Sequence, residues 1–436
     1  MKLLHTSDWH VGKAIRGHSR AGEHRAVLAE IVSVARAEEV DLSLVVGDLF
    51  DTAAPTAESE ALVYDALLDL AEVAPVVVVA GNHDNPRRLD AVARPLQLGR
   101  ITMAAALRRP DDGGVLRLSA GGVPVNVALL PFQSQRAIIR AADLMDSAAF
   151  RNVQTYAERI RAVMAALATG FDGDSVNLLA AHLFVTGAKA GGGERSAHLA
   201  DEYGVTIPDL PTTANYVALG HLHRPQQLPA PMAVHYCGSP LALDFGEEAQ
   251  IKQINLATCE PGLPAKVTAV PLRSGRSLVT LVGTLDDVRA QARELGAFPG
   301  SGSGGAGEEA VANGGDAGVP WIRVRLTEQA RAGLADEVRA AIGPAVVDVR
   351  IESRVLGDQR AQVRARRDGL SPTELFAEYL TEREVNDPRL VAAFTALHDE
   401  HVTPEVADGA EPAEPERTDP SSAAESADAE QLSMGL

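Results

Sequence analysis

Cysteines, aromatic residues and long apolar runs are all scarce in this sequence. Only two of its 436 residues are cysteines, Cys237 and Cys259, so at most one disulfide can form and a reduced, cytoplasmic location is expected. No run reaches ~18 uninterrupted apolar residues, and Asp8 interrupts the N-terminus early, so we expect neither a membrane span nor a signal peptide. Aromatic residues make up 4% of a sequence that is 46% hydrophobic. Val, Leu, Ile and Ala must therefore form the core, as in α/β proteins with buried parallel strands.

Positive charge is also in short supply. The chain has 40 Lys and Arg against 59 Asp and Glu, which gives a formal net charge of -19. Part of the excess lies after residue 402, where nine acids face one base, but the remainder of the chain is still acidic. A free-standing binder of polyanions needs the opposite sign of charge. Any contact with a nucleic acid must then depend on local patches, on metal ions or on a partner.

The first 270 residues alternate between strand-like and helix-like segments. Such alternation predicts crossover connections and a mostly parallel sheet. Residues 115–132 differ, because Gly121 and Gly122 predict the turn of a hairpin there. The sequence therefore predicts one α/β domain over residues 1–270. The predicted strands lie at 2–7, 41–46, 75–80, 176–181 and 216–219, and the predicted helices at 22–39, 57–72 and 153–168.

Three further segments follow this domain. Residues 276–355 predict a small β-α-β-α-β module with a helix at 328–342, and the Gly-rich, low-complexity stretch 297–319 interrupts it. Residues 370–401 predict two short helices whose apolar faces pack either on their own domain or on a partner. The acidic, Pro- and Ser-rich tail 403–436 is predicted to be disordered.

Five apolar strands each end on side chains that bind metals. In an open α/β sheet, ligands gather beyond the carboxyl ends of the strands. We therefore expect these side chains to meet in one crevice. They are Asp8 and His10 after the first strand, Asp48 after the second, Asn82 and His83 in the run GNHD after the third, His182 after VNLLAA, and His221 and His223 after YVAL.

The kinds of side chain in these clusters indicate which ions they would bind. Carboxylates, an amide and imidazoles, with no thiolate, suit divalent ions such as manganese, iron or zinc. The two-residue spacing of Asp8 and His10 predicts that both face one way from an extended segment, and His221 and His223 share this spacing. Without His83, the clusters offer two carboxylates, one amide and four imidazoles. These seven ligands are too many for one ion and suit two that share a carboxylate. Two ions ~3.5–4 Å apart can clamp a phosphate.

Two other catalytic patterns are missing from the sequence. The run GSGSGG at 300–305 lacks the lysine of a GxxxxGK[ST] loop, so ATP binding is not expected. The sequence also has no Gly-x-Ser-x-Gly nucleophile elbow. A nucleophile would then have to come from water and the metal ions.

The ordered motifs D-x-H, G-D, G-N-H-D, H and G-H-x-H resemble those of the calcineurin-like metallophosphoesterase superfamily. The longer strings HTSDWHVGK, VVGDLFDTAAPT, GNHDNPRRL, GHLHRPQ and YCGSPLALDFGE resemble the SbcD family of bacterial nuclease subunits. This resemblance is strong over about 1–260 and looser to about 400. It implies an α/β fold of two stacked β-sheets flanked by helices. A small α+β capping domain, here 276–355, and C-terminal partner-binding helices would follow.

The resemblance also implies roles for the clustered residues. His83 would be the acid that protonates the leaving oxygen, or it would steady the phosphate. Asp51 and Asp84 would either orient imidazoles or cap loops. For the metals, Asp8, His10 and His223 would bind one ion, Asn82, His182 and His221 would bind the other, and Asp48 would bridge the two.

The activity implied by the resemblance is that of a manganese-dependent DNA nuclease. It would act as a 3′–5′ exonuclease on duplex ends and as an endonuclease on hairpins. Its partner would be an SbcC-type coiled-coil ATPase gripped by 370–401, with a homodimer of this chain inside a heterotetramer. A metallophosphoesterase for small molecules such as cyclic nucleotides would use the same ligands. An inactive scaffold would predict a missing ligand, and all seven are present.

Several basic residues lie outside these clusters. The segment RGHSR, with Arg16, His18 and Arg20, is interpreted as a loop that is either solvated or in contact with DNA. His24 is expected on the surface of the first helix. Arg88 would meet either phosphates or a surface acid.

Overall fold

The computed structural model describes residues 1–134, 137–138, 156–194, 204–296, 319–352, 376–377, 379–381, 383, 385 and 387–394. The chain divides into two compact units, Met1–Leu356 and Gly357–Leu436. Most of the insertion 297–319, the start of the segment 370–401 and the tail 403–436 lie outside the described residues. In the second unit, helical residues occur at 376–377, 379–381 and 388–394.

The described elements of the first unit follow the predicted alternation. The strands are β1 Lys2–Thr6, β2 Leu42–Val46, β3 Val76–Val79, β4 Ile101–Ala104, β5 Val115–Ala120, β6 Val123–Leu130, β7 Val176–His182, β8 Phe184–Val185, β9 Gly204–Val205, β10 Tyr216–Gly220, β11 Gln226–Leu228, β12 Ala233–Tyr236, β13 Gln253–Thr258, β14 Lys266–Pro271, β15 Leu278–Gly283, β16 Trp321–Leu326 and β17 Val346–Ile351. The helices are α1 Ala21–Ala37, α2 Ala57–Val73, α3 Pro86–Leu98, α4 Tyr156–Ala168, α5 Leu285–Glu294 and α6 Leu334–Ile342.

Two six-stranded sheets form the centre of the unit. One has the order β14-β13-β1-β2-β3-β4 and the other β11-β12-β10-β7-β6-β5. Strands β1 to β4 are parallel, as are β6, β7, β10 and β12. The predicted parallel pairing is therefore confirmed, but the strands form two sheets and not one, because the same alternation of elements continues from one sheet into the next. The two-sheet α/β fold implied by the resemblance is confirmed.

The two sheets pack face to face through a layer of aliphatic side chains. Leu44 and Val77 from the first sheet and Val127 and Leu178 from the second belong to this buried layer. These strands are short, β-branched and apolar, which suits strands buried on both faces. The layer fixes how the ends of the two sheets meet.

Helices cover the outer face of the first sheet. On α1, Val27, Leu28 and Ile31 face the core, which is the spacing of an amphipathic helix. Thr56 starts α2 by accepting a hydrogen bond from the amide of Ser59. Within the described ranges, none of the helices combines the length and apolarity that a bilayer crossing requires.

Helix α3 and strand β4 were not predicted from the sequence. Asn85 caps α3 by accepting from the amides of Arg87 and Arg88, and Pro86 occupies the first turn. Pro95 lies inside the helix, where a proline is normally a breaker, and Leu89 is its single buried residue. The Arg88 guanidinium lies 2.6 Å from Glu60, which agrees with a surface ion pair.

The described residues of this module, 276–296 and 319–352, form a three-stranded parallel sheet, in the order β15-β16-β17, with α5 and α6. A capping box between Thr284 and Asp287 starts α5. Helix α6 begins only at Leu334, so its predicted start at 328 is wrong. Trp321 joins this module to the rest of the unit, since its indole N–H donates to Glu23 at 2.8 Å. Its role as a capping domain stays a prediction.

Two expectations for the first loop and helix are wrong. His24 is 1% exposed, because it shares the buried stripe of α1 with Val27, Leu28 and Ile31 at helical spacing. Arg20 is buried and pairs with Glu23 through two hydrogen bonds of 2.8 and 3.1 Å, so it is not available to a phosphate.

We expect the interior of the sandwich to set its stability. Leu44→Ala should lower the free energy of unfolding by ~2–5 kcal/mol, because it leaves a cavity between the sheets. Leu98→Ala, at a side chain that is 91% exposed, should change it by no more than about 0.5 kcal/mol. Urea denaturation of both variants checks this, and equal losses would contradict the packing.

Candidate metal centre

The ends of both sheets bring the seven predicted ligands together. Asp8 and His10 follow β1, Asp48 follows β2 and Asn82 follows β3, all in the first sheet. His182 is the last residue of β7, and His221 and His223 follow β10, both in the second sheet. The site exists because the carboxyl ends of parallel strands from two stacked sheets lie at one edge.

Several residues of the cluster have an unusual backbone conformation. Asp8, His10, Asp48 and His221 have positive φ angles of 53°, 46°, 51° and 104°. Non-glycine residues rarely adopt this region, and such strain gathers at functional sites. The prediction of an extended segment at Asp8 and His10 is therefore wrong, although both side chains do face one cluster as predicted. They curl in a loop that bonds to the next strand end, with the His10 amide 2.9 Å from the Asp48 carbonyl.

Two glycines allow the sheet ends to approach this closely. A Cβ atom on Gly47 would lie 1.9 Å from Nδ1 of His182, and one on Gly220 would lie 1.8 Å from the Val46 carbonyl oxygen. Gly47 also has a φ of 84°, which an L side chain rarely adopts. Any larger residue at either position would push the ligands apart.

Three of the seven side chains form one cluster, which we call the Asp8 group: Asp8, His10 and His223. One ligand atom from each lies within 4.8 Å of the others. The Nε2 atoms of His10 and His223 are 3.1 Å apart. All three side chains are buried, so their polar atoms face one another and not bulk water.

Three other side chains form a second cluster, the Asn82 group: Asn82, His182 and His221. The side-chain oxygen of Asn82 lies 2.8 Å from Nδ1 of His221 and 3.0 Å from Nε2 of His182. Asp48 lies between the two groups, since its Oδ2 is 3.5 Å from Nε2 of both His10 and His182. One carboxylate oxygen is thus equally close to both groups.

The spacing and chemistry of these donors fit divalent cations. Ligand atoms that bind one ion at ~2.0–2.1 Å lie roughly 3 Å from each other. This is the separation between the His10 and His223 nitrogens and between Asn82 and its two histidines. The donors are carboxylate, amide and imidazole, the set preferred by hard-to-borderline divalent ions. The clustered residues therefore form a divalent metal site.

Electrostatics also favour a cation here. Burial raises the pKa of Asp8, and the neighbouring Asp48 adds to the rise. Burial would lower the pKa of His182, but Asp48 outweighs it and raises that pKa to about 9. Two carboxylates have been taken out of water, so positive charge must lie next to them.

His83 lies at the edge of the site, half-buried. Its amide donates to Asp48 at 2.7 Å, and its Nδ1 lies 2.6 Å from the Asp51 carbonyl oxygen. A His83 ring nitrogen also lies within 4.8 Å of donor atoms in His10 and Asp48. The position is therefore close enough to act on whatever the site binds.

The two alternatives left open for the neighbouring aspartates have different outcomes. Asp84 caps a loop, since it accepts from the amides of Gly81 and Phe50 at 2.9 and 3.2 Å. Asp51 lies 3.7 Å from Nδ1 of His10 and 3.0 Å from Lys13. Asp51 is thus the one of the two that approaches an imidazole.

Sequence reasoning missed two carboxylates that hold His223. Glu247 lies 3.0 Å from the ring Nδ1, and Glu194 accepts from the backbone amide at 2.9 Å. Glu247 ends the string YCGSPLALDFGE, and Glu194 follows three glycines. Neither residue lies at a strand end. The search for polar side chains at strand ends therefore did not find them.

A two-sheet sandwich that gathers carboxylate, amide and imidazole ligands at one edge defines a metal-dependent phosphoesterase. Residues 1–225 match the family model of the calcineurin-like phosphoesterases. The chain is 36% identical over 285 residues to the SbcD subunit of the nuclease SbcCD from Bacillus subtilis, an alignment that covers 64% of this chain and 71% of that protein. The chain belongs to the calcineurin-like phosphoesterase family, within its group of SbcD proteins.

The SbcD subunits of two other bacteria are also similar to this chain. That of Rhodobacter capsulatus is 35% identical over 266 residues, covering 57% of this chain and 64% of the relative. That of Escherichia coli K12 is 29% identical over 301 residues, covering 67% and 73%. Similarity therefore extends well past the residues of the family model.

Divalent cations should stabilise the folded protein. Mn²⁺ at 100 times its Kd should raise the free energy of unfolding by about 2.7 kcal/mol for each bound ion. Asp48→Asn should lose most of this gain, whereas Asp65→Asn, at an exposed position on α2, should keep it. Denaturation with Mn²⁺ or with chelator measures the effect, and an equal gain in all three proteins would contradict the site.

Proposed function

We propose that this protein is the nuclease subunit of an SbcCD-type complex. It hydrolyses phosphodiester bonds in DNA, as a 3′–5′ exonuclease at double-strand ends and as an endonuclease at hairpins. The observation that carries this proposal is the pair of ligand groups on either side of Asp48, in a chain similar to proteins named as nucleases. An inactive scaffold has no support from the site, since all seven side chains converge.

The proposed site binds two divalent ions, with manganese as the proposed metal. The Asp8 group would hold one ion, the Asn82 group would hold the other, and both ions would share Asp48. The position of Asp48 Oδ2, 3.5 Å from an imidazole of each group, supports this assignment. Bound cations of this kind supply Lewis acidity toward the phosphate and activate a water for in-line attack.

His83 is the proposed general acid. Its Nδ1 donates to the Asp51 carbonyl oxygen at 2.6 Å, which orients the ring and leaves Nε2 for the substrate. With a proton on Nε2, the imidazolium can protonate the oxygen that leaves the phosphorus. The amide bond to Asp48 fixes the backbone of His83 against the metal ligands. The proposed acid and the proposed metal ligand Asp48 are thus held together by the loop that carries His83.

The proposed partner is an SbcC-type coiled-coil ATPase that binds residues 370–401. In the second unit, the rings of Phe376 and Phe394 stack with centroids 4.3 Å apart. Tyr379 and Leu390 remain 48% and 42% exposed, so an apolar surface is offered on these helices. Such a surface suits a partner helix. A homodimer within a heterotetramer completes the proposal.

The proposed location is the cytoplasm. Both cysteines, Cys237 and Cys259, are free and buried. This is the usual state of cysteines in a reducing compartment, and it agrees with an enzyme that acts on chromosomal DNA.

Loss of the proposed acid should slow the chemical step without removing the metals. His83→Gln should lower kcat on DNA by ~10²–10⁴-fold, the usual value of general acid catalysis. His235→Gln, on β12 and outside both ligand groups, serves as the matched control and should keep its activity. Single-turnover cleavage with Mn²⁺ in excess measures the rate, and full activity of His83→Gln would refute the role.

Substrate choice separates DNA from small molecules. With Mn²⁺ and the ATPase partner, end-labelled linear duplexes and hairpins should be cut, while cyclic nucleotides should not. Chelator should stop cleavage, since the site depends on cations. Hydrolysis of cyclic nucleotides with both DNA substrates left intact would instead favour the small-molecule enzyme.

A further inference from the structure

A buried polar network lies directly behind His223. Glu247 is fully buried, and its Oε1 lies 3.0 Å from Nδ1 of the His223 ring. Its other oxygen, Oε2, accepts from Lys252 Nζ at 2.6 Å and from the Leu243 amide at 3.0 Å. The Ser239 hydroxyl donates to the same oxygen at 3.5 Å. The carboxylate is therefore fixed by four partners, one of which is a metal-site imidazole.

The backbone of His223 is held as firmly as its ring. Its amide donates to Glu194 at 2.9 Å, and its carbonyl oxygen accepts from Lys252 Nζ at 3.0 Å. The ring nitrogen opposite Glu247, Nε2, points toward His10 at 3.1 Å. Ring and main chain together leave His223 one orientation, with Nε2 turned into the metal site.

His182, in the Asn82 group, is held differently. Its Nδ1 lies 3.1 Å from the Val46 carbonyl oxygen, a neutral acceptor. A carboxylate partner both orients a metal-binding imidazole and makes it a stronger electron donor. The two imidazoles therefore differ in the charge of the group behind them.

We propose that Glu247 is a positioning residue that sets the affinity of one of the two metal sites. By accepting the Nδ1 proton of His223, it keeps the Nε2 lone pair directed at the cation of the Asp8 group. The Asn82 group does not depend on it. This inference rests on the proposed function, since it takes His223 as a metal ligand.

Lys252 has a separate task in this network. A buried carboxylate is costly unless a positive charge or several donors compensate it. Lys252 supplies that charge, and its ammonium also reaches Ser239 at 2.9 Å and Gln250 at 3.1 Å. We expect it to keep Glu247 ionised and in place without acting on the ring itself.

Calorimetric titration with Mn²⁺ alone tests the proposal. Glu247→Gln should raise the Kd of one of the two binding events by ~10–100-fold and leave the other unchanged. Lys252→Met removes the compensating charge and the donor to the His223 carbonyl oxygen, but it leaves the Glu247 carboxylate beside Nδ1 of the ring. It should therefore raise the Kd of the same binding event by less than Glu247→Gln does. Glu248→Gln, at the exposed neighbour, is the control and should change neither.

The outcomes separate this inference from the proposed function. An equal loss of affinity in Glu247→Gln and Lys252→Met would assign the effect to the ion pair and overturn the positioning role. Two unchanged affinities in Glu247→Gln would overturn it as well, while the nuclease assignment would stand. Failure of the unchanged protein to bind Mn²⁺ would refute both.

A measurement on the unchanged protein covers the case in which Glu247→Gln does not fold. In the Zn²⁺-loaded protein, long-range ¹H–¹⁵N spectra report which ring nitrogen of each histidine carries a proton. The proposal requires the His223 proton on Nδ1, protected from exchange by its bond to Glu247. A proton on Nε2 would overturn it.

Discussion

The burial of two carboxylates, Asp8 and Asp48, at one edge of the sandwich is the constraint on which the rest of this structure depends. Charges taken out of water are tolerated only next to opposite charge. A protonated His182, whose pKa is raised to about 9, can supply that charge. A divalent cation supplies it instead once the imidazole has lost its proton to become a ligand. The strained backbone of the ligand loops and the glycines beneath them follow from this need, because they bring the positive groups close.

Function and fold are linked because the ligands come from different sheets. Asp8 and Asp48 extend from the first sheet, and His182 and His223 from the second. Aliphatic side chains such as Leu44 and Leu178 determine how the sheets stack, so they also determine the distances at the site. A change between the sheets, far from any ligand, would alter the geometry of both ligand groups.

The clustered side chains, which are the proposed ligands, could be found from the sequence because each follows an abrupt change from apolar to polar residues, which is a local signal. The division into two sheets came from the family resemblance and not from the pattern of elements, since strand–helix alternation looks the same in one sheet or two. Helix α3 was missed because Pro95 breaks its pattern, although Asn85 and Pro86 marked its start. Glu247 was missed for another reason: its partner His223 is 24 residues away, and only the fold brings them together.

The charge of the protein determines how it meets DNA. Two basic side chains near the site are already paired with acids: Lys13 with Asp51, and Arg88 with Glu60. Paired charges give little net positive field, and the chain as a whole carries -19. We therefore expect the metal ions and the proposed ATPase partner to provide the attraction for DNA. Dependence on both would restrict cutting to DNA that the partner presents, which is a safeguard that a basic, free-standing nuclease lacks.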